Sequence, residues 1–341
     1  MSQPIVTINI VVWNATKLGD GRYIRPCLDS IKKQTYKNIE VNLIDNNSSD
    51  DTLEIIKKDH PEFNLIERKD NPGLWTTQNE ALEYSKGEYI IALSLDTILN
   101  PHFVENAVTV FEKDKKIGSV QAKVYSYDSY DRKERMIDTV GFKMFCSRRL
   151  INEGHGEADR GQYNKEKQIF GVEGAVPIFR KKTLEDIKIE GSFADPDYFW
   201  YGDDFDLAWR ITLFGWKQIY SPEVIAYHDR ATTKDISHGL MNHMGRIGKR
   251  KSIPLKKRRL DWANTRFTII KNDYIVNILR DLPWIIAREL GVFFYTLFIE
   301  AGVFLEYPRF FRLLPGMLRK RKETMKKAKI SASQMRGYIS K

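Results

Sequence analysis

Glu40-Val41-Asn42-Leu43-Ile44-Asp45 runs directly into Asn46-Asn47-Ser48-Ser49, and an apolar-periodic segment through Lys58 follows. The first six positions read as a strand, the next four as a turn. Ser48 with Asp51 three positions later carries the start signal of a helix. The same unit recurs on both sides. Val6 to Trp13, rich in β-branched residues, reads as a buried strand, and after Gly19-Asp20-Gly21 an amphipathic helix is expected from Tyr23 to Gln34. Asn64 to Glu67 reads as a third strand, Leu74 to Ser85 as a helix and Glu88 to Ser94 as a fourth strand. Strands alternating with helices at this interval predict an α/β fold with a mostly parallel sheet and right-handed crossovers. Ligands of such sheets bind outside the carboxyl ends of the strands.

The polar residues collect at those ends. Asn14 follows the first strand, Asp45 and Asn47 end the second, Asn71 and Gly73 follow the third, and Ser94-Leu95-Asp96 ends the fourth. A nucleotide asks for an acceptor for its base, partners for its ribose and a cation for its phosphates, and Asp45 and Asp96 are of the right type for the first and last. Asn, Ser and Asp also serve as caps and turn residues, which is the plainer use of each taken singly.

A second polar concentration lies at Phe199-Trp200-Tyr201-Gly202-Asp203-Asp204-Phe205-Asp206-Leu207-Ala208-Trp209-Arg210, followed by Gly215-Trp216 and by His228 at the end of an apolar stretch. Asp203, Asp204 and Asp206 are too close to ionise independently, so one can be tuned as a base. Carboxylates, an aromatic platform and an imidazole are the groups needed to activate a hydroxyl and to hold a metal-bound phosphate leaving group. Asp206 and Arg210, four apart on an expected helix, read as an ion pair.

The chain of 341 residues is globular in composition, with 42% hydrophobic and 12% aromatic residues. Cys27 and Cys146 have neither metal spacing nor a disulfide framework, which favours a reducing compartment. The N-terminus reads without a secretion signal, so a cytoplasmic location is expected. The net charge of +10 is uneven: residues 229–341 hold 25 Lys and Arg against 9 Asp and Glu, the first 228 residues 30 against 36. Seven of the eleven positions Lys249 to Arg259 are basic, as are seven of eleven from Arg319 to Lys329. Between them Leu290 to Leu305 is apolar but for Glu300, and at sixteen residues it is short for a membrane span. An amphipathic helical region lying in a membrane interface is expected, the basic flanks meeting anionic headgroups. Nucleic acid is disfavoured, since the clusters carry no recognition motif and the segment between them is too apolar.

Order and spacing together resemble the inverting glycosyltransferases of family two, with the GT-A nucleotide-diphospho-sugar fold. Within them the chain looks most like the bacterial rhamnosyltransferase-type enzymes of surface polysaccharide synthesis. The segments that carry the resemblance are Ile44 to Ser48, Asn71-Pro72-Gly73 with Asn79, Gly87 to Ile90 leading to Ser94-Leu95-Asp96-Thr97, Gly174-Ala175 before Arg180, and above all Phe199 to Arg210 with Gly215-Trp216 and His228. The resemblance runs from about residue 5 to 232. It implies a catalytic domain over 1–232, nucleotide-binding in 1–100 and acceptor-binding in 101–232, with 233–341 as the basic helical extension.

The resemblance further implies that Asn14, Asp45, Asn47, Asn71, Gly73, Asn79, Ser94 and Asp96 face the nucleotide-sugar, Asp45 toward base or ribose. Asp96 and His228 would hold a divalent Mg or Mn, Asp204 would be the catalytic base, and Trp200, Tyr201 and Asp203 would meet the acceptor. Ser94 stands where the full Asp-x-Asp motif has its first Asp, and Asp203 where a Glu is usual. The implied reaction moves a sugar, dTDP-L-rhamnose favoured and a UDP-sugar open, to a glycan or polyprenyl-diphosphate-linked acceptor at the inner leaflet, with the enzyme peripherally bound there. A homodimer stays open. A sugar nucleotidyltransferase is the alternative enzyme, although no Gly-rich basic loop for a triphosphate is seen; a non-catalytic membrane-surface module is the other alternative. The polar stretch Gly154 to Gly161, with His155, reads as a loop able to close near the site.

Overall fold

The computed structural model describes residues 3–19, 21–129, 135–229 and 253–341. The N-terminal half follows the expected alternation: β1 Val6–Val12, α1 Ala15–Leu18, α2 Gly21–Lys32, β2 Ile39–Asp45, α3 Thr52–Asp59, β3 Asn64–Glu67, α4 Leu74–Tyr84, β4 Tyr89–Leu93, β5 Thr97–Leu99 and α5 Phe103–Lys113. β3, β2, β1 and β4 lie side by side, all parallel. The helix after β2 begins at Thr52 with Asp51 at its N-cap, three positions later than the Ser48 signal places it. Ser48 does not cap it, because the Ser48 hydroxyl instead accepts from the backbone N–H of Asn14 and so ties the two strand-end loops together.

The second half makes the sheet mixed. β6 Ile117–Ser126, β7 Ile137–Thr139, β8 Phe142–Phe145, β9 Leu150–Asn152, β10 Lys167–Gln168, β11 Ile178–Arg180, α6 Lys181–Asp186, α7 Asp203–Leu213 and β12 Lys217–His228 follow in order. β11 inserts antiparallel between β4 and β6, and β12 runs parallel to β6, giving the order β10-β12-β6-β11-β4-β1-β2-β3. Successive side chains of a strand point to opposite faces. Accordingly Ile91 and Leu93 of β4 enter one core with the faces of α2 and α5, whereas Ile90 and Ala92 enter a second core with Trp75, Phe205 and Trp209.

Among the described residues after β12, five α-helices follow: α8 Leu255–Asn272, α9 Ile275–Arg280, α10 Leu282–Ile299, α11 Tyr307–Lys327 and α12 Ala332–Arg336. This region is locked to the rest. The final strand, β13 Ile339–Ser340, pairs with β8, and Met335 and Ile339 enter the second core. Lys271 of α8 and Lys320 of α11 both reach the buried Asp195 carboxylate, at 2.6 and 2.5 Å. Arg148 is fully buried between Asp273 and Asp281, and Arg336 meets Asp281 from the other side. The apolar run expected as one interfacial stretch from Leu290 is broken differently. α10 starts earlier and ends at Ile299, and a short 3-10 turn, Ala301–Glu306, redirects the chain into α11. The boundary expected at residue 232, the basic residues Lys249 to Lys251 and both His238 and His243 lie outside the described residues.

Candidate active site

Two strand ends and one helix start converge on a cavity of about 530 Å³, lined among others by Ser94, Asp96, Trp200, Tyr201, Asp203, Asp204 and His228. Ser94 and Asp96 lie just beyond β4, and His228 is the last residue of β12. Asp203 and Asp204 open α7, where the free N–H groups of the first turn favour negative charge. The Asp204 carboxylate accepts from the N–H of Phe205 at 2.8 Å and packs against Gly174; a Cβ at that glycine would stand 3.0 Å from Asp204 Oδ2.

The neighbouring Asp203 is a different kind of carboxyl. It is buried, its Oδ1 accepts from the N–H of Asp204, and its Oδ2 has no hydrogen-bond partner. Burial, reinforced by the charge of Asp204, pushes its pKa well above the ordinary carboxylate range. Two adjacent aspartates are thereby differentiated, Asp203 toward the neutral acid, with Asp204 on the cavity. Asp206 forms the expected pair with Arg210 at 2.8 Å, and that guanidinium also donates to the carbonyls of Ile187 and Phe193.

Opposite α7, His228 Nε2 lies 3.4 Å from Asp96 Oδ2, and His228 Nδ1 lies 2.9 Å from Asp138 Oδ2. Burial opposes a charge on this imidazole, but the bonds to Asp138 and Asp96 outweigh it and push its pKa up to about 10. Asp138, on β7, was not a sequence candidate: it stands 90 residues from His228, with no local motif to mark it. Asp138 behind the ring fixes its orientation; both ring nitrogens carry protons in this charged form, and a metal bound at Nε2 would displace the proton there. An octahedral ion at about 2.0–2.1 Å from its ligands spaces neighbouring donors by about 3 Å, so the Asp96 and His228 atoms suit one divalent ion. Among the described residues no group of three or more Asp, Glu, His or Cys is ready to hold a metal alone, so further oxygens would come from substrate phosphates or water.

The platform is strained and held from outside. Phe199 and Tyr201 have φ of 61° and 74°, costly for side-chain-bearing residues, and Gly202 follows at 81°. The amide Nδ2 of Asn264, on α8, donates to the carbonyls of Tyr198, Trp200 and Tyr201 at 3.1, 3.1 and 2.6 Å. Trp200 is 40% exposed at the cavity, so its ring is not a core residue. Lys257 of α8 lies 4.8 Å from the Trp200 ring centroid and 4.4 Å from that of Tyr201. Asp261 and Thr265 of α8, Arg288 of α10 and Arg149 before β9 complete the wall.

The remaining expected nucleotide residues sit at the parallel end of the sheet without lining this cavity. Asp45 is buried; its Oδ2 accepts from the N–H of Ser48, and its Oδ1 has no hydrogen-bond partner among the described residues. Asn14 braces the turn by accepting from Ser49, Asn47 adopts φ 62°, and Asn71 accepts from the N–H of Gly73, whose φ is 96°. Asn79 forms a two-way clip with the backbone of Ala194 at 2.8 and 3.0 Å, which joins α4 to the loop before α7. The Gly154 to Gly161 loop is laced to the sheet rather than standing free. Asp159 accepts from Lys123 and Tyr125, and His155 Nδ1 lies 2.9 Å from the Asp138 carbonyl.

The family described as Glycosyl transferase family 2 matches residues 7–187, from the first strand to the helix after β11. The chain belongs to this family. Curated relatives within reach include the chondroitin synthase of Escherichia coli, 30% identical over 174 residues, 46% of this chain and 24% of that protein. The poly-beta-1,6-N-acetyl-D-glucosamine synthase of Staphylococcus epidermidis is 24% identical over 213 residues, 61% of this chain and 47% of that protein. This family 2 chain thus spans about a quarter to a half of the length of those relatives. Among solved structures, the mannosyltransferase PcManGT of Pyrobaculum calidifontis with GDP-Man and Mn2+ superposes with TM-score 0.52 at 18% identity, over 96% of this chain and 86% of that one. GalNAc-T7 with UDP, GalNAc and Mn2+ gives 0.51 at 15% identity over 67% and 44%. These likenesses establish the GT-A fold.

Proposed function

We propose that the chain is an inverting glycosyltransferase that moves a sugar from a nucleotide-diphospho-sugar to an acceptor hydroxyl in polysaccharide synthesis at a membrane surface. One observation supports this reading: the Asp204 carboxylate shares a cavity with Asp96 and His228, the two residues the resemblance assigns to a metal. A sugar hydroxyl is a poor nucleophile at neutral pH. Asp204 takes its proton as the oxygen attacks the anomeric carbon from the face opposite the departing diphosphate, and a single displacement inverts that centre. A divalent Mg or Mn held by Asp96 and His228 would neutralise charge on the leaving diphosphate, a contribution of several kcal/mol.

Asp138 keeps the His228 ring in place, and Trp200 offers its face to the acceptor sugar; the base or ribose contact assigned to Asp45 rests on the motif resemblance alone. dTDP-L-rhamnose is the favoured donor on the motif resemblance, with a UDP-sugar next. The nucleotidyltransferase alternative and the non-catalytic module are disfavoured by family membership together with the differentiated Asp203 and Asp204 pair. The test is a screen of nucleoside diphosphates and their sugars with Mg or Mn by thermal shift, then transfer by the Asp204→Asn variant. A ligand raises apparent stability only if it favours the folded state. The variant is expected to bind donor and to lose about 10²- to 10⁴-fold in turnover; undiminished turnover would overturn Asp204 as the base.

A further inference from the structure

The residues from Tyr198 to Gly202 carry the aromatic platform and lead directly into α7, so their backbone decides where both Trp200 and Asp204 stand in the cavity. Their sequence alone does not favour the shape they take. Phe199 has φ 61° and ψ −52°, and the N–H of Trp200 donates to the carbonyl of Tyr198 at 2.7 Å, which together make a γ-turn of the rare, strained hand. Tyr201 follows with φ 74° before Gly202. Side-chain-bearing residues in such sparsely populated backbone regions persist only where the surrounding structure holds them there.

The hold comes from α8. Lys256 lies 4.4 Å from the Phe199 ring centroid, and Lys257 covers the next two rings. Asn264 reaches the backbone itself: fully buried, it brings one amide to the carbonyls of Tyr198, Trp200 and Tyr201, on both sides of the γ-turn. The approach is close, since a Cβ at Gly202 would stand 3.3 Å from the Asn264 Cβ. Asn264 Oδ1 has no hydrogen-bond partner among the described residues, so the side chain is set for what its amide donates and gives up an acceptor to do it. Asn264 does not line the cavity, whereas Thr265 beside it does. Thr268, one turn on, holds the same segment in another way: its hydroxyl meets the buried Tyr198 hydroxyl at 3.0 Å, side chain to side chain.

We propose that Asn264 is a positioning residue of the transfer reaction. Its amide holds the turn in the strained form that presents the Trp200 face and starts α7 where Asp204 meets the cavity. The geometry of transfer is then set from the C-terminal helical region, beyond residue 187 where the family match ends. Without the amide the three carbonyls lose their common donor, Phe199 and Tyr201 relax toward negative φ, and Trp200 and Asp204 move together. The assignment rests on the glycosyltransferase reading and adds to it a residue that acts through the platform and the base.

The test uses the full chain labelled with fluorotryptophan, native and with Asn264→Ala or the milder Asn264→Ser, each assayed below its own unfolding transition. The fluorine resonance of Trp200 is the one missing from Trp200→Phe, and it is expected to shift or broaden in Asn264→Ala. Turnover is read as nucleoside diphosphate released from dTDP-L-rhamnose and from UDP-sugars with Mg or Mn. In Asn264→Ala kcat is expected to fall about 10²-fold, the cost of misplacing reacting groups by about 1 Å. Donor KM stays within about twofold of native, the mark of an interaction made in the transition state, and Asn264→Ser loses less kcat. Thr268→Val removes a side-chain bond between the same two segments, and it is expected to lower the melting temperature and leave kcat intact. An unmoved Trp200 resonance, a kcat within about threefold of native, a loss confined to donor KM, or an equal loss in Thr268→Val would each overturn the inference. Absence of turnover by the native chain on every donor would strike the glycosyltransferase reading itself, whatever the fluorine spectra show of the turn.

Discussion

Two adjacent aspartates do different work because of a few ångströms of packing. Both line the cavity, but Asp203 is buried in its wall with an unpaired oxygen, whereas Asp204 packs against Gly174. The sequence made the crowding legible but not which carboxyl would be buried, since burial is decided by how α7 sits on the second core. The pKa of Asp203 is raised on folding, so the folded state holds this proton more tightly than the unfolded chain. Its contribution to stability is present below the unfolded pKa, about 3.9, and is lost as pH rises toward the folded value. Asp203→Asn removes that pH dependence. The melting temperature of the variant relative to the native protein is therefore expected to climb from about pH 4 toward neutrality, a range set by the ordinary Asp pKa. A difference that stays flat over that range would show that Asp203 is ionised in the fold. His228 and Asp96 were marked by motif order, while Asp138 was invisible because it touches His228 only through the pairing of β6 with β7 and β12.

At the scale of elements, the four N-terminal strands and the helices at Gly21–Lys32 and Leu74–Tyr84 were legible to within a residue or two, because their apolar periods are regular, whereas Ala15–Leu18, Thr97–Leu99 and Phe103–Lys113 were not expected. α8 was not legible either. Lys257, Asp261, Asn264, Thr265, Thr268, Lys271 and Asn272 recur at helical spacing, and that polar stripe is the face turned inward. Lys257 and Asp261 line the cavity, Asn264 holds the platform carbonyls, and Lys271 and Asn272 reach Asp195 and Asp206. A basic, polar helix read by hydropathy belongs to solvent or to a membrane flank. Here the acidic partners supplied by the loop before α7 and by α7 itself reverse that. The paired lysines hold the Asp195 carboxyl below its usual range against the opposing effect of burial. Lys271→Met leaves Asp206 with one cation fewer and Asp195 dependent on Lys320. Breaking a buried pair this way costs about 3–5 kcal/mol, expected as a lower urea midpoint. A change under about 1 kcal/mol, the ordinary value of a surface pair, would mean that the network is solvated.

The whole molecule separates charge by position. Its acidic surplus lies in the first 228 residues and its basic surplus in the rest, where α10 is the helix, among the described residues, long and apolar enough to cross a membrane. Only 6% of that helix is buried, and Trp284, Phe298 and, on α9, Leu279 are 62, 77 and 63% exposed. An apolar patch of this extent signals a partner. Arg288 and Glu289, in the middle of α10, are engaged with α8 and the catalytic cavity, which ties one side of the helix to the protein and favours lying in the interface over crossing it. Truncation is a poor test of this, because removing the C-terminal segment would strip Lys320 and Arg336 from buried Asp195 and Asp281. Two exposed substitutions on the full chain, Leu279→Glu and Phe298→Glu, avoid that fault. The native protein is expected to sediment with vesicles containing anionic lipid, less so as salt rises, since headgroup attraction is screened within about 10 Å at 0.1 M. The double variant should lose about tenfold or more in vesicle affinity, as apolar burial is the larger part of interfacial binding, while its melting temperature and nucleotide binding stay unchanged. Vesicle binding that survives both substitutions would place the membrane contact on another face.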